Sequence, residues 1–530
     1  MKRALLSLGA LAALGFSGCG AANETPIAAD VLITGGIVFD GEDRPGRVLD
    51  VALREDRIVY VGAPGSVKAA RVIDADGLLV KPGFIDPHTH SLSDLRSGDP
   101  SRRANANYLF QGVTTVVNGN DGFGEPGVAG QMDTLDALDF GTNTALFTGH
   151  GALRKAVMGG EDRAPTDAEL AEMKRRLDED MQAGALGLST GLFYAPGSFA
   201  DTFEVVSLAR IAARYGGMYD SHMRDEGSYD AGLLASVDEV ITIARAADIR
   251  ANISHIKALG ADVWGESEAV VARVEAARTD GLSITADQYP WRASGTRISN
   301  ALLPRWVKAG SVADYIARLD DPAFMTRLRE DTADNLRLRG GPEAVLITAP
   351  LGETGDPDWV GKTLGEIAAR TDRDPVETAL EIARRSDARI ASFNMSPDDM
   401  RRFMQQSWVM TSSDGSTGHP RKYASYPMKY RRYVVEEGPI DLPSFVHRST
   451  GLVADTFGLC RRGYLRKDLA ADVIVIDPDT FAPRADFQNP EELSDGVLYA
   501  FVNGEAAIDD GVLTGQRPGG ALRRCRGKMG

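Results

Sequence analysis

"GFIDPHTH", residues 83–90, decides how this chain is read. A short apolar run ends in Asp86 and Pro87, and His88 and His90 follow with one residue between them. The 530 residues contain only seven histidines, so two this close need a cause. An extended segment that ends in His-x-His sets two imidazoles on one rim, near enough to share an ion. Alone the pair is weak evidence, because turns also produce it.

Seven further short apolar runs support it. They are "VTTVVNGND" (113–121), "NTALFTGH" (143–150), "ALGLST" (185–190), "MYDSHM" (218–223), "RANISHIK" (250–257), "LSITADQY" (282–289) and "WVMTSSD" (408–414). At or near their ends stand Asp121, His150, Ser189, His222, His255, Asp287 and Asp414. Helical text lies between the runs. In "TDAELAEMKRRLDEDMQAG" (166–184), Thr166 and Glu169 predict a capping box and Gly184 a C-terminal cap. Strand and helix in alternation predict a parallel sheet, and eight strands is the number that closes a (β/α)8 TIM-type barrel. The C-terminal strand ends of such a barrel share the functional face. His88, His90, His222, His255 and Asp414 then converge there, a donor set that suits Zn²⁺.

Outside this middle the texture changes. "DVLITGGIVFD" (30–40), "DVALREDRIVYVG" (50–62) and "RVIDADGLLVKPG" (71–83) read as short strands, as do "ADVIVIDPDTF" (471–481) and "VLYAFVNGEAAIDDGVLTG" (497–515). They predict a small β-sandwich domain built from both chain ends, 30–81 with 456–530, around a barrel at 82–455. The long stretch before "WVMTSSD" predicts an insertion near 298–345.

A net charge of -16 argues against a nucleic-acid partner. Met1-Lys2-Arg3, the apolar stretch Ala4 to Phe16 and then Ser17-Gly18-Cys19 predict a lipoprotein-type signal over 1–19. The expectation is a protein of the cell envelope that meets the membrane only through a lipid anchor at Cys19, or a periplasmic one if Cys19 carries no lipid. Cys460 and Cys525 are free to pair in an exported chain, a matter spacing does not settle.

The chain resembles the amidohydrolase superfamily and, within it, the N-acyl-D-amino-acid deacylase (D-aminoacylase) family. The matching text is "GFIDPHTHSL", "QGVTTVVNGNDG", "GLSTGLFYAPG", "YDSHMRDEG", "ISHIKALG", "ADQYPWRASGT", "SSDGSTGHPRKYASYP" and "RRGYLRKDLAADVIVID", in order from about residue 30 to 515. The resemblance implies that His88, His90, His222, His255 and Asp414 are metal ligands and that Asp414 is also the catalytic acid and base. It implies that Lys257 and Tyr289 hold the substrate's α-carboxylate and that Tyr194 lines the pocket. His419 is expected to contact substrate or to support the ligands from behind, with a plain loop role the alternative. Where the family carries a metal-binding Cys in a "GNCG" turn, this chain has "GNDG" and Asp121. The fourth strand, "GALGLSTGLF", lacks the lysine that bridges two ions elsewhere in the superfamily. Asp121 is therefore expected to be a ligand, and a bridge if two zinc ions bind rather than one.

The implied activity is zinc-dependent hydrolysis of N-acyl-D-amino acids, or related D-amino-acid peptides, with a small-molecule substrate bearing a free carboxylate. A cyclic-amide hydrolase of dihydroorotase or hydantoinase type is one alternative, disfavoured by the missing lysine. A non-catalytic binding lipoprotein that keeps the fold is the other. His150 is expected to be structural, His447 to pack, and Arg224, Asp225 and Glu226 to form a salt-bridge cluster. Arg292 and Arg297 are open between substrate contact and structural pairing.

Overall fold

Residues buried on both faces of a sheet read as unbroken apolar runs, and the eight strand ends of the middle region show why. The computed structural model describes residues 27–65, 67–351 and 354–525; the signal-like segment 1–19 lies outside them. Strands form at Phe84–Asp86, Val113–Asn118, Asn143–Leu146, Gly187–Gly191, Met218–His222, Arg250–Ile253, Ile284–Gln288 and Val409–Thr411. All their residues are buried except Arg250. Neighbours in this order pair in parallel. The third strand continues at Thr148–Gly149, which pairs with the fourth. A parallel bridge between Thr89 and Gly415 links the eighth strand back to the first, so the run returns to its start.

The connecting helices pack outside. Asp167–Ala183 has the expected capping box from Thr166 and Glu169, and Gly184 ends it at φ 108°. Among the described residues, no helix is long and apolar enough to cross a membrane.

Both chain ends contribute to one sheet. The strand Val473–Ile476 lies between Leu79–Pro82 and Val497–Val502. A second sheet, built from Ile27–Thr34, Asp50–Arg54, Arg57–Gly62 and Val67–Asp74, shares its core with the first through Ile33, Val51, Ile73, Val80, Val473 and Phe501. One part of the expected 456–530 segment belongs elsewhere. Ala521–Leu522 pairs in parallel with Thr144 and Ala145 of the third middle strand, and the Arg524 N–H donates to Gly184 O at 2.9 Å. The tail is thus wedged beside the third and fourth strands at their N-terminal ends. Cys460 and Cys525 are joined as a disulfide, with Cα atoms 5.6 Å apart.

The excursion between the seventh and eighth strands is also wider than 298–345. Ala293–Arg297, Arg389–Phe393 and Val345–Ala349 form their own antiparallel sheet. The helices Val312–Asp320, Pro322–Leu338, Leu364–Thr371 and Pro375–Arg385 accompany it. Ile298, Leu328, Leu336, Ile347, Ile382 and Ile390 belong to a core separate from that of the middle region. A five-residue apolar run does not reveal whether its partner will be parallel or antiparallel, so the later strands were invisible as parts of one unit.

Candidate metal centre

Three of the rim residues sit where the backbone turns left-handed: Asp121 at φ 58°, His255 at φ 36° and Asp414 at φ 47°. Asp tolerates this conformation better than most side chains, and strain of this kind gathers at functional sites. The turn carrying Asp121 is held on both sides. Ser189 Oγ donates to Gly119 O and accepts from the Gly122 N–H at 3.2 Å. Asn120 Nδ2 donates to Pro87 O and to Asp220 Oδ2, both at 3.0 Å. A Cβ on Gly122 would come within 2.8 Å of Gly191 N, so this turn accepts only glycine there.

Asp121 stands at the centre of the cluster. Its Oδ2 lies 3.3 Å from both His88 Nε2 and His90 Nε2. Its Oδ1 lies 3.3 Å from His255 Nε2 and 3.8 Å from His222 Nδ1. Asp414 Oδ1 approaches His90 Nε2 at 3.2 Å and His88 Nε2 at 3.8 Å. The donors form two groups, His88, His90, Asp121 and Asp414 on one side and Asp121, His222 and His255 on the other, with Asp121 in both. The sequence-expected ligands are therefore brought together. All are buried except His90, which is partly exposed.

Several of these atoms make no hydrogen bond among the described residues. His88 Nδ1 and Nε2 and Asp121 Oδ1 are buried without a hydrogen-bond partner. Orphaned buried polar atoms are costly, and a cation would satisfy the lone pairs of Asp121 Oδ1 and of one His88 nitrogen. The electrostatics agree. Burial works to lower the His88 pKa, yet the charges of Asp121, Asp414 and Asp287 push it up to about 10. Burial and Lys257 oppose protonation of His255, but Glu226 and Asp121 raise it to about 9. His222, where burial dominates, falls to about 3. Burial opposes ionisation of Asp414, but the Arg421 guanidinium and the neighbouring histidines hold its carboxyl well below the usual range. The pocket is built for positive charge, which fits metal binding by imidazole and carboxylate.

The supporting contacts redistribute several expected roles. Lys257 lines the cavity, but its Nζ lies 2.6 Å from Glu226 Oε1 and 2.7 Å from His255 Nδ1. These two groups brace an ammonium that has three N–H donors and still faces the cavity. Glu226, expected only in a salt-bridge cluster, thereby orients His255, and its Oε2 is 3.9 Å from His222 Nε2. Its neighbours do serve structure: Arg224 pairs with Glu239 at 2.8 Å, and Asp225 accepts the N–H groups of Gly227, Asp230 and Gly232. His419 is buried, and backbone groups engage both of its ring nitrogens. The Arg421 N–H donates to its Nδ1 at 3.1 Å, so Nε2 carries the proton and donates to Ala293 O at 3.1 Å. Burial and the nearby Arg421 keep this imidazole neutral. His447 Nδ1 contacts Gly41 O at 2.8 Å, away from the site. Arg297 lines the cavity, whereas Arg292 is exposed and does not.

Arg421 is the residue that sequence reasoning passed over. Its Nη1 lies 2.8 Å from Asp414 Oδ2, and its guanidinium stands 4.8 Å from the Tyr289 ring centroid. The Tyr289 hydroxyl is buried with no partner. Tyr194 packs against His222 with ring centroids 4.5 Å apart. All three line one cavity of about 1160 Å³ that opens from the cluster toward the inserted sheet. The only sequence signal for Arg421 was its place in "SDGSTGHPR", seven residues after Asp414.

The geometry defines a two-group metal centre on a ring of parallel strands. A family model described as amidohydrolase family matches residues 71–508. D-aminoacylase of Alcaligenes xylosoxydans xylosoxydans is 32% identical, covering 93% of this chain and 98% of the relative. N-acyl-D-glutamate deacylase of the same organism is 34% identical over 93% of this chain and 96% of its own. Among solved structures, the N-acyl-D-glutamate deacylase of Bordetella bronchiseptica, complexed with zinc and a phosphonate mimic of the tetrahedral intermediate, has a TM-score of 0.79 at 32% identity, covering 94% of this chain and all of that one. The chain belongs to the amidohydrolase family, in its D-aminoacylase branch.

Proposed function

We propose that this protein is a zinc-dependent hydrolase that cleaves the amide bond of N-acyl-D-amino acids, releasing a carboxylate and a free D-amino acid. The observation that carries the reading is the Asp121 carboxylate, which has one oxygen on the His88 and His90 side and the other on the His222 and His255 side. The relatives named above act on N-acyl-D-amino acids, and one was solved with zinc. In this reading the eight strands are a (β/α)8 barrel, and the two sheets at the chain ends are a sandwich beside it.

His88, His90 and Asp414 would hold one ion, His222 and His255 the other, with Asp121 between them. When bound, zinc supplies a Lewis acid that polarises the acyl carbonyl and acidifies water. Asp414 accepts the proton of the attacking water at Oδ1, the oxygen facing His90, and returns it to the departing amine. Arg421 on Oδ2 keeps Asp414 ionised and fixed in place. The unpartnered Tyr289 hydroxyl, with Arg421 beside it, receives the α-carboxylate, while Lys257 acts through Glu226 and His255. Tyr194 closes the pocket over His222.

Zinc per chain together with a panel of N-acetyl-D- and N-acetyl-L-amino acids tests this. The expected result is one or two zinc ions and turnover confined to the D-series. A zinc-loaded protein that hydrolyses cyclic amides and no N-acyl-D-amino acid overturns it.

Export to the cell envelope with a lipid anchor at Cys19 belongs to the same proposal. Support comes from the basic, apolar and small-residue order of 1–19 and from the Cys460–Cys525 bond, a linkage that persists in oxidising compartments. Cys19→Ser should move the protein from membrane to soluble fractions; a wild-type protein already soluble in the periplasm removes the anchor.

A further inference from the structure

The ring of parallel strands has a seam between its third and fourth members. Strand pairing there is confined to Thr148 and Gly149, which stand beside Leu188 and Ser189. One further bond crosses, from the Leu186 N–H to Leu146 O at 2.8 Å. Nearer its start the third strand turns this edge to the chain's own tail, with Thr144 beside Ala521 and Ala145 beside Leu522. The Thr144 N–H donates to Gly520 O at 3.0 Å, and the Gly519 N–H to Phe140 O at 2.7 Å. On the far side the Arg524 N–H reaches Gly184 O, in the cap that precedes the fourth strand. A Cβ on Gly184 would come within 2.7 Å of the Arg523 Cβ, so the tail lies flush against that cap. Leu522 packs on the core that holds Ala145, Phe147, Leu186 and Phe457. The tail therefore fills the gap that the two strands leave.

This strap has little grip of its own. Its strand is two residues long, and its ion pairs, Arg517 with Asp139 and Arg523 with Asp136, lie at the surface. Exposed ion pairs contribute little, and a chain end stays in place only where something ties it down. The tie is Cys525, bonded to Cys460 across 65 positions. The Cys525 N–H also donates to Gly458 O at 3.1 Å. Cys460 follows the helix Gly451–Phe457, whose Val453 and Phe457 belong to the core that Leu522 covers. The disulfide thus fastens together two segments that close one end of the ring. Cys460 is exposed, so a thiol in solution can reach its sulfur.

We propose that the Cys460–Cys525 disulfide is a redox-operated latch on the ring. Oxidised, it keeps the tail in the seam between the third and fourth strands; reduced, the tail leaves and the seam opens. A dithiol supplies the electrons. One of its sulfurs, as thiolate, attacks the exposed Cys460 sulfur, the S–S bond breaks, and Cys525 departs as a thiolate that takes up a proton. The second sulfur of the dithiol then displaces Cys460 from the mixed disulfide. The dithiol ends as a disulfide and both cysteines as thiols, two electrons having passed to the protein. Without the cross-link the tail regains the freedom that the closed loop denied it. The closed ring then belongs to oxidising compartments. The inference is independent of the deacylase reading, and its test needs no turnover.

Amide hydrogen exchange read by mass spectrometry tests the latch. Zinc-loaded protein is compared before and after treatment with dithiothreitol, which is then removed under nitrogen, with thiols and zinc counted in both samples. Reduction should speed exchange by roughly thirtyfold or more in peptides covering 140–146 and 516–525. The sixth and seventh strands, Arg250–Ile253 and Ile284–Gln288, should keep their protection. Cys525→Ser should match the reduced protein without any thiol, and re-oxidation should restore protection in the wild type alone. Should Cys525→Ser fail to fold, the reduced and re-oxidised wild type decides. Equal exchange in the oxidised and reduced protein overturns the proposal. So does a rise spread evenly over all strands, or a disulfide that dithiothreitol leaves intact in the folded protein.

Discussion

Two buried histidine and carboxylate clusters stand on the same rim, and they are built to different ends. At the end of the third strand, His150 Nε2 contacts Glu204 Oε1 at 2.8 Å, and Arg154 takes the other Glu204 oxygen. One acid meets one imidazole and one permanent cation, and the charges balance locally. A few residues away, Asp121 and Asp414 face four imidazoles at 3.2 to 3.8 Å, with buried atoms left unpaired. Arg421 offsets Asp414. Among the described residues no lysine or arginine does the same for Asp121, whose carboxylate lies between two histidine pairs. Residue type and burial are alike in the two clusters. What separates them is whether the protein supplies the cation itself, as at Glu204, or leaves that place to an ion.

The sharpest way to break this contrast is at Asp121. Asp121→Ala should bring zinc below one ion per chain and cut activity by orders of magnitude, since both donor groups lose a member. Asp121→Cys should recover at least one tightly held ion, thiolate being the softer donor. Full zinc stoichiometry in the Ala variant, read by metal analysis, would show that Asp121 merely shapes the turn. Asp414→Asn should keep zinc and fold but reduce turnover by about 10²–10⁴-fold, the contribution of a positioned proton acceptor. Near-normal rates in a zinc-replete Asn protein would remove that role.

The paired cluster should respond in the opposite manner. Glu204→Gln leaves Arg154 buried without its charge partner and should cost about 3–5 kcal/mol in urea unfolding, with zinc per chain unchanged. Burial opposes ionisation of Glu204, but His150 and Arg154 hold its carboxyl below the ordinary value of 4.5. Its stabilisation is therefore complete above that value and lost as pH falls through the lower folded-state value. The Gln variant should lose stability less steeply than wild type below pH 4.5, the unperturbed value; parallel acid curves would contradict the pairing. The smallest effect is expected at Glu226, which meets the cluster from behind, at His255 and at His222 3.9 Å away, and pairs with Lys257. Glu226→Gln should weaken zinc binding by about 10–100-fold without abolishing it, as loss of a group that orients a ligand does. An unchanged zinc Kd would leave Glu226 as a plain ion pair.

Much of the centre was legible before any coordinates. Apolar runs buried on both faces, each ended by a polar side chain, mark parallel strands and their functional ends, because that pattern is set within a few residues. His88, His90, Asp121, His222, His255 and Asp414 were found this way together with the family resemblance, and they converge. The partners of Lys257 and His419 were not legible, for the opposite reason. A lysine two residues past a histidine looks free on paper, and only the fold brings Glu226 against it from 31 residues away. His419 looks like a rim imidazole until the backbone of Ala293 and Arg421 takes both of its nitrogens.

The sequence by itself determined which residue types end the strands, the capping of Asp167–Ala183 and the β character of both chain ends. These depend on neighbours a few positions away. Tertiary structure alone decided the pairing of Arg421 with Asp414, the opposition of Arg297 and Arg389, the joining of Cys460 to Cys525, and the lodging of Ala521–Leu522 beside the third strand. Each of these joins segments from seven to several hundred residues apart, or depends on strand register. A charge or a thiol carries no mark of its partner until burial of the apolar faces has fixed where the chain must fold back.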